Sequence, residues 1–357
     1  MGATGARRRA SSFTVPNNPV TVGIVLRWSA LGSLVICVVL VLVLPWPLPY
    51  EQPIEEIMQD RSSHLQEQCQ TILDHGNLSA SSARTLKPQY LYYNYFYQPQ
   101  FQMLWCSINK VASSSWMYQF NRWAGVSREK IAQAARDMKA LARMYYPVPT
   151  RADVEQIKRN VDLPVIRFLL VRDPMDRFVS AYEDLIVRPQ SDNYLTLRRF
   201  IFREVYGLDT PSGSENGTSP PVPSFSDFTE FVLRRPNVLD PHWDTYYNLC
   251  DPCFLQPTVI VKLETYDRDV AHLLQLAHVP TGADNYDNAR GKAFEGHRLN
   301  VNHHRASGDT LHRNASTIDR LAELTKEQFE RLYRRYELDF RLFQYDASHY
   351  FAMYGTD

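Results

Sequence analysis

Apolar and polar positions along this chain fall into a unit that repeats: a short apolar run, a polar loop, then apolar residues at helical spacing. QMLWCS runs apolar into a serine-rich loop, and SWMYQFNRWAG follows with Trp116, Phe120 and Trp123 on one helical face and Gly125 as a C-cap. LPVIRFLLV, residues 163 to 171, is nearly all apolar, as a strand buried on both faces would be, and RDPMDRFVSAYEDLI continues it as loop and helix. TVIVKLET, residues 258 to 265, followed by YDRDVAHLLQLA, is a third such unit. The pattern predicts an α/β fold, a central parallel sheet flanked by helices on both faces.

Between the second and third units, residues 207 to 224 are rich in Pro, Ser and Gly and read as a surface loop. Residues 296 to 316 are polar and basic, and LTKEQFERLYRRYELDFRLF then reads as a last helix. Upstream, YLYYNYFYQPQF, residues 90 to 101, is dense in tyrosine. It suits a strand or loop packed against the domain better than a stacking platform for sugars.

The first ninety residues have a different character. Trp28 to Leu44 carries no charge and, extended to about residue 48, matches the thickness of a bilayer core. Arg7, Arg8, Arg9 and Arg27 precede it, and Glu51, Glu55, Glu56 and Asp60 follow, which puts the N-terminus in the cytosol. A cleaved signal peptide is the competing reading, but PWPLPY offers no small-residue cleavage site. The expected organisation is a cytosolic tail (1–27), a transmembrane signal anchor (28–48), a stem containing a short helix around residues 54 to 73 (49–89) and a folded luminal domain (90–357).

Composition adds to this in two places. Lys plus Arg and Asp plus Glu are 39 each, so nothing points to a nucleic-acid partner and any anion site must be local. Of the 5 cysteines, Cys37 lies in the anchor, leaving Cys69, Cys106, Cys250 and Cys253, which can pair in three ways in an oxidising lumen. No second cysteine pair completes a metal site around Cys250 and Cys253, and no metal is expected. The sequons at Asn77, Asn216 and Asn314 all follow the anchor, where N-glycans can be added.

The candidate chemistry lies at the strand ends. In an open parallel sheet, ligands bind beyond the carboxyl ends of the strands, at helix N-termini. Ser107 to Trp116 occupies such a position, with Lys110 supplying charge and Ser113, Ser114 and Ser115 supplying hydroxyls for a phosphate or sulfate. It lacks the glycines of a Walker loop, which disfavours a nucleotide kinase. Taken alone, it reads more readily as an ordinary turn whose serines cap a helix. A second loop shifts the balance: VRDPMDRFVSAY sets Arg172 at the end of the next core strand, with Arg177 and Ser180 following, suited to a terminal phosphate. The alternative there is surface pairing of Arg172 or Arg177 with neighbouring aspartates.

Two anion loops on neighbouring strands suit a nucleoside phosphorylated at both ends. Lys110-Val-Ala-Ser-Ser-Ser-Trp116 resembles the 5′-phosphosulfate loop, and Arg172-Asp-Pro-Met-Asp-Arg-Phe-Val-Ser180 the 3′-phosphate loop, of the Golgi carbohydrate sulfotransferases that use PAPS (3′-phosphoadenosine-5′-phosphosulfate). His242-Trp243, Cys250-Asp-Pro-Cys253, Lys262-Leu-Glu264-Thr265 and the run from Tyr333 to Tyr345 follow in the order found in the branch that includes the HNK-1, chondroitin 4-O-, dermatan 4-O- and GalNAc-4-O-sulfotransferases. The resemblance covers roughly residues 100 to 346. Asn109 stands where that family usually has proline, Ser114-Ser115 where Thr-Asn or Thr-Gln is usual, and Gln344 where glycine is usual.

The resemblance implies in-line transfer of a sulfuryl group from PAPS to a glycan hydroxyl by a single-pass type II Golgi membrane protein. Lys110 through Trp116, Arg172, Asp173, Arg177 and Ser180 are the implied donor-binding residues. Lys110 and His242 are the catalytic candidates, Lys110 at the leaving phosphate and His242 as proton acceptor. His242 is as readily a histidine packed beside Trp243. Glu264 is a second acid/base candidate or a structural partner, and His297, His303 and His304 lie in the polar stretch. An anionic acceptor would call on Arg84, Lys87, Arg188, Arg198, Arg199, Arg234 or Arg235. The competing reading from another class is an anchored glycan-binding protein with a decayed transferase domain, against which Lys110, Arg172 and Ser180 stand intact.

Overall fold

The computed structural model describes residues 52–75, 92–134, 137–160, 164–189, 191–207, 220–235, 240–280 and 317–355. The anchor and tail, the three sequons, Arg84, Lys87, His297, His303 and His304 lie outside them. No helix among the described residues is long and apolar enough to cross a membrane.

In chain order the elements that position the site are α1 (Ile54–His75), β1 (Tyr95–Gln98), β2 (Met103–Cys106), α2 (Ser113–Trp123), α3 (Met138–Arg143), β3 (Ile166–Val171), α4 (Pro174–Ala181), α5 (Asp192–Tyr206), α6 (Phe225–Arg234), α7 (Tyr246–Cys250), β4 (Val259–Lys262), α8 (Tyr266–Leu276) and α9 (Lys326–Leu342). One sheet runs β1-β2-β3-β4. The three anticipated units supply β2, β3 and β4, which pair in parallel with Cys106 beside Leu169 and Val171 beside Lys262. Phe168, Leu169, Leu170 and Val171 are buried on both faces, as their unbroken apolar run requires.

The sheet is nevertheless mixed and not purely parallel. The tyrosine-rich stretch forms β1, antiparallel to β2 with Tyr95 opposite Cys106. Several of its rings belong to the core: Tyr92, Tyr95 and Phe96 are buried, and the Tyr95 hydroxyl donates to the Cys250 carbonyl at 2.5 Å, while Tyr93 is exposed. The connection is only four residues long, too short for the crossover a parallel partner needs.

The helix expected in the stem is α1, and it is part of the folded unit. Met58, Leu65, Cys69 and Ile72 are buried in the same core as the sheet. Arg61, also buried, donates to the Ile260 carbonyl at 2.7 Å and meets Asp269 at 2.5 Å, so a paired charge sits under β4. Periodicity alone made this helix look marginal because much of its surface is polar. Its attachment combines these buried apolar residues with one disulfide and one buried arginine.

The four cysteines pair as Cys69–Cys253 and Cys106–Cys250. The close-spaced pair is thus divided, one thiol tying α1 to the turn after α7 and the other tying the end of β2 to α7. A second buried cluster forms where Phe178 of α4 packs on Phe225 and Phe228 of α6 and on Tyr336 of α9, with ring centroids 5.1 to 5.9 Å apart. These contacts fix α4, and with it the loop after β3, against the last helix.

Candidate active site

The loop after β2 takes a backbone shape usually left to glycine. Lys110 and Ala112 have φ of 72° and 65°, in the left-handed region, where a residue with a side chain is disfavoured by about 1 kcal/mol or more. A turn of this kind lets successive N–H groups converge on an anion. Ala112 occupies the N-cap position of α2 and makes no side-chain cap. The three serines therefore lie within the first turn and do not cap it. Ser115 and Trp116 N–H reach the Ala112 carbonyl at 3.1 and 3.3 Å, while those of Ser113 and Ser114 meet no acceptor among the described residues. The first turn of α2 contains no acidic residue, so nothing there opposes an anion.

Two of the loop residues contribute backbone only. Val111 is buried in the core, and the Trp116 ring is buried against Phe168 and Trp105 at 4.9 and 6.0 Å. What these two residues can offer an anion is therefore the backbone N–H. Apolar spacing had already assigned Trp116 to the helix's inner face, and that assignment wins.

Arg172 sits at the end of β3, adjacent in the sheet to β2. Its backbone N–H and carbonyl both engage the buried Tyr246 hydroxyl, at 2.9 and 2.8 Å. One guanidinium nitrogen faces Asp176 at 3.4 Å, but Nε is buried with no hydrogen-bond partner among the described residues. A buried guanidinium with an unmatched donor fits an oxyanion ligand. Ser180 is half-buried two turns along α4.

Asp173 and Arg177 each make several contacts within the protein. Asp173 caps α4, accepting from the N–H groups of Met175 and Asp176 at 2.9 and 3.0 Å and from the Tyr350 hydroxyl at 3.0 Å. Burial, reinforced by Asp176, raises its pKa to about 7. Arg177 is almost wholly buried and donates to three carbonyls: Asn109 at 3.0 Å, Asp244 at 2.6 Å and Pro241 at 3.0 Å. Its guanidinium is filled by backbone acceptors, and so it is a brace between the lysine loop and the turn carrying His242.

His242 is on that turn and partly exposed. Its Nδ1 lies 2.7 Å from Asp240 Oδ1 and 3.2 Å from the Tyr194 hydroxyl. With Nδ1–H donated to the carboxylate, Nε2 carries the free lone pair of the neutral ring. Trp243 is buried beside it, so the packed-pair reading holds for the tryptophan and not for the imidazole. Glu264 accepts from the Asp173 N–H and the Tyr345 hydroxyl, both at 2.9 Å, and is a structural partner. Asp339 accepts from the N–H groups of Tyr246 and Tyr247 at 2.9 and 3.3 Å, and burial raises its pKa to about 7.

The two loops meet at Lys110. Its ammonium pairs with Asp184, on a π-helical turn (Tyr182–Val187) that continues α4. Burial lowers its pKa, Asp184 opposes that, and the charges of Arg172 and Arg177 add to the lowering, which places all three cations in one neighbourhood. Asp184 was not singled out from the sequence. The available signal was an acidic pair, Glu183 and Asp184, one turn beyond Ser180.

Of the arginines considered for an anionic acceptor, Arg198 is buried on the carbonyls of Ile186, Pro220 and Val187. Arg188, Arg234 and Arg235 pair with Glu183, Glu230 and Glu204. Among the described residues no cluster of His, Cys, Asp or Glu could hold a metal ion.

An α/β sheet with cationic, donor-rich loops on two adjacent strand ends is an arrangement suited to an anionic ligand. The sequence matches the sulfotransferase family model over residues 93–346, and the chain belongs to that family. Carbohydrate sulfotransferase 8 of Mus musculus is 24% identical over 296 residues, which is 82% of this chain and 64% of that protein. Carbohydrate sulfotransferase 11 of Danio rerio is 24% identical over 71% of this chain and 67% of its own length. Carbohydrate sulfotransferase 9 of Homo sapiens is 23% identical over 82% of this chain and 60% of its own length. No solved structure matches significantly.

Proposed function

We propose that the protein transfers a sulfuryl group from PAPS to a hydroxyl of a glycan, in the Golgi lumen, held in the membrane by the segment 28–48. The observation that supports it most is the pairing of two anion-ready ends: unmatched N–H groups at Ser113 and Ser114 beside Lys110, and an unmatched buried Nε on Arg172. These fit the two phosphorylated ends of the donor, which supplies the activated sulfuryl group.

The chain's own residues then have separable tasks. Lys110 carries positive charge to where negative charge grows on the leaving phosphate, and the α2 N-terminus and serine hydroxyls hold the neighbouring oxygens. Arg172, with Ser180, holds the 3′-phosphate. Asp240 and Tyr194 both fix the His242 ring at Nδ1, so that Nε2 takes the proton of the attacking hydroxyl. Arg177 keeps the His242 turn in register with the lysine loop through three backbone carbonyls.

The test is incubation of the full chain with radiolabelled PAPS and a panel of desulfated glycans. Label appearing in at least one glycan, and disappearing with Lys110→Ala, is the expected outcome. Binding of the panel without any transfer favours the decayed, glycan-binding reading instead.

A further inference from the structure

Lys110 is held by a carboxylate in a place where the proposed function needs it to meet an anion. The Lys110 and Asp184 side chains are only 11% and 21% exposed, so the pair is largely shielded from water and from salt. Asp184 lies on the π-helical turn that continues α4, and such turns recur where a helix must present a functional side chain out of its ordinary register. The same carboxylate contributes to the field around Tyr194, whose hydroxyl touches His242. Asp184 therefore pairs with the lysine loop while its charge is also felt at Tyr194.

We propose that Asp184 is the resting counter-ion of Lys110 and that the donor's phosphosulfate displaces it, so that Asp184 sets donor affinity while keeping the lysine charged and placed in the empty loop. This rests on the PAPS reading given above. One ammonium cannot fully serve both a carboxylate and a second anion in this confined place. The carboxylate must be moved from the ammonium or tolerated beside a like charge, and either lowers affinity. In exchange, Lys110 waits between Arg172 and Arg177 without the repulsion that three unbalanced cations would impose. Asp184 acts through Lys110 and is a positioning residue.

The experiment is a double-mutant cycle on the full chain, with adenosine 3′,5′-bisphosphate as the calorimetric probe. Asp184→Asn is expected to bind the probe about five-fold more tightly, the size of one partly shielded charge pair. In a Lys110→Ala background the same substitution is expected to give less than half that gain. Asp184→Glu, which keeps the charge, is expected to stay closer to the unsubstituted chain than Asn does. Weaker binding by Asp184→Asn, with an unchanged melting temperature, overturns the proposal by making Asp184 a prop for the loop. A full five-fold gain in the Lys110→Ala background also overturns it, because the effect then does not pass through the lysine. No binding by the unsubstituted chain refutes the donor reading itself and this inference with it. Binding by the unsubstituted chain with no response to Asp184→Asn refutes only the inference.

Discussion

Arg177 donates its Nε–H to the Asn109 carbonyl at 3.0 Å, joining the helix after β3 to the residue just before the catalytic lysine candidate. The same guanidinium reaches the carbonyls of Pro241 and Asp244, on either side of His242. One buried side chain thus sets the spacing of three segments far apart in sequence. Because the contact uses a carbonyl, the asparagine at 109, where proline is usual in the resembling family, leaves it intact.

Arg177→Lys is expected to lower stability by about 3 kcal/mol, since a lysine cannot reach three carbonyls in a fork and leaves buried acceptors unmatched. Chemical denaturation of the full chain measures it. A loss below about 0.5 kcal/mol would mean the three hydrogen bonds do not brace the loop.

The backbone of the lysine loop invites a graded series. Ala112 already pays for φ of 65°, so Ala112→Gly is expected to change stability by less than about 1 kcal/mol, relief of strain opposing greater freedom when unfolded. Ala112→Val puts a β-branched side chain into that conformation and is expected to cost more than 1 kcal/mol while weakening nucleotide binding. Equal stability and affinity for Gly and Val would show that the loop does not hold this shape.

The disulfide between Cys69 and Cys253 gives α1 its covalent tie to the domain. Replacing both cysteines by serine is expected to cost about 2 to 4 kcal/mol. Peptide mapping under non-reducing conditions should show Cys69 with Cys253 and Cys106 with Cys250. A Cys250–Cys253 peptide would contradict the pairing.

Two buried carboxylates make stability depend on pH in a definite direction. Asp173 and Asp339 have folded pKa values raised to about 7 by burial, above the ordinary carboxylate value of 3.8. The folded state therefore holds these protons more firmly, and their contribution is fully present below about pH 4 and lost as pH rises through 7. Asp173→Asn is expected to reduce the fall in melting temperature between about pH 4 and 7. An unaltered slope would show that Asp173 is ionised throughout.

Much of the fold was legible because the three apolar runs are continuous and each is followed by a helical period. The tyrosines of β1 favour packing against the domain but carry no signal of strand direction, which only the four-residue connection decides. The helix α1 was read as stem because its few apolar positions look marginal until Cys69 and Arg61 find partners distant in sequence. The site divides in the same way. Lys110 and Arg172 were visible as cations at strand ends, but Asp184 and the bracing role of Arg177 depend on contacts no spacing reveals. Gln344 offers a smaller lesson: it has a φ of 52°, a conformation that favours glycine, at the position where the resembling family usually has one.

Calorimetric titration of the full chain with adenosine 3′,5′-bisphosphate and, separately, with ATP tests the central claim most directly. The account predicts saturable binding of the bisphosphate, weakened at least ten-fold by Arg172→Ala, and little binding of ATP, which has no 3′-phosphate for that arginine. ATP binding as tight as the bisphosphate, or bisphosphate binding indifferent to Arg172, would contradict a site built to hold both phosphorylated ends of the sulfuryl donor.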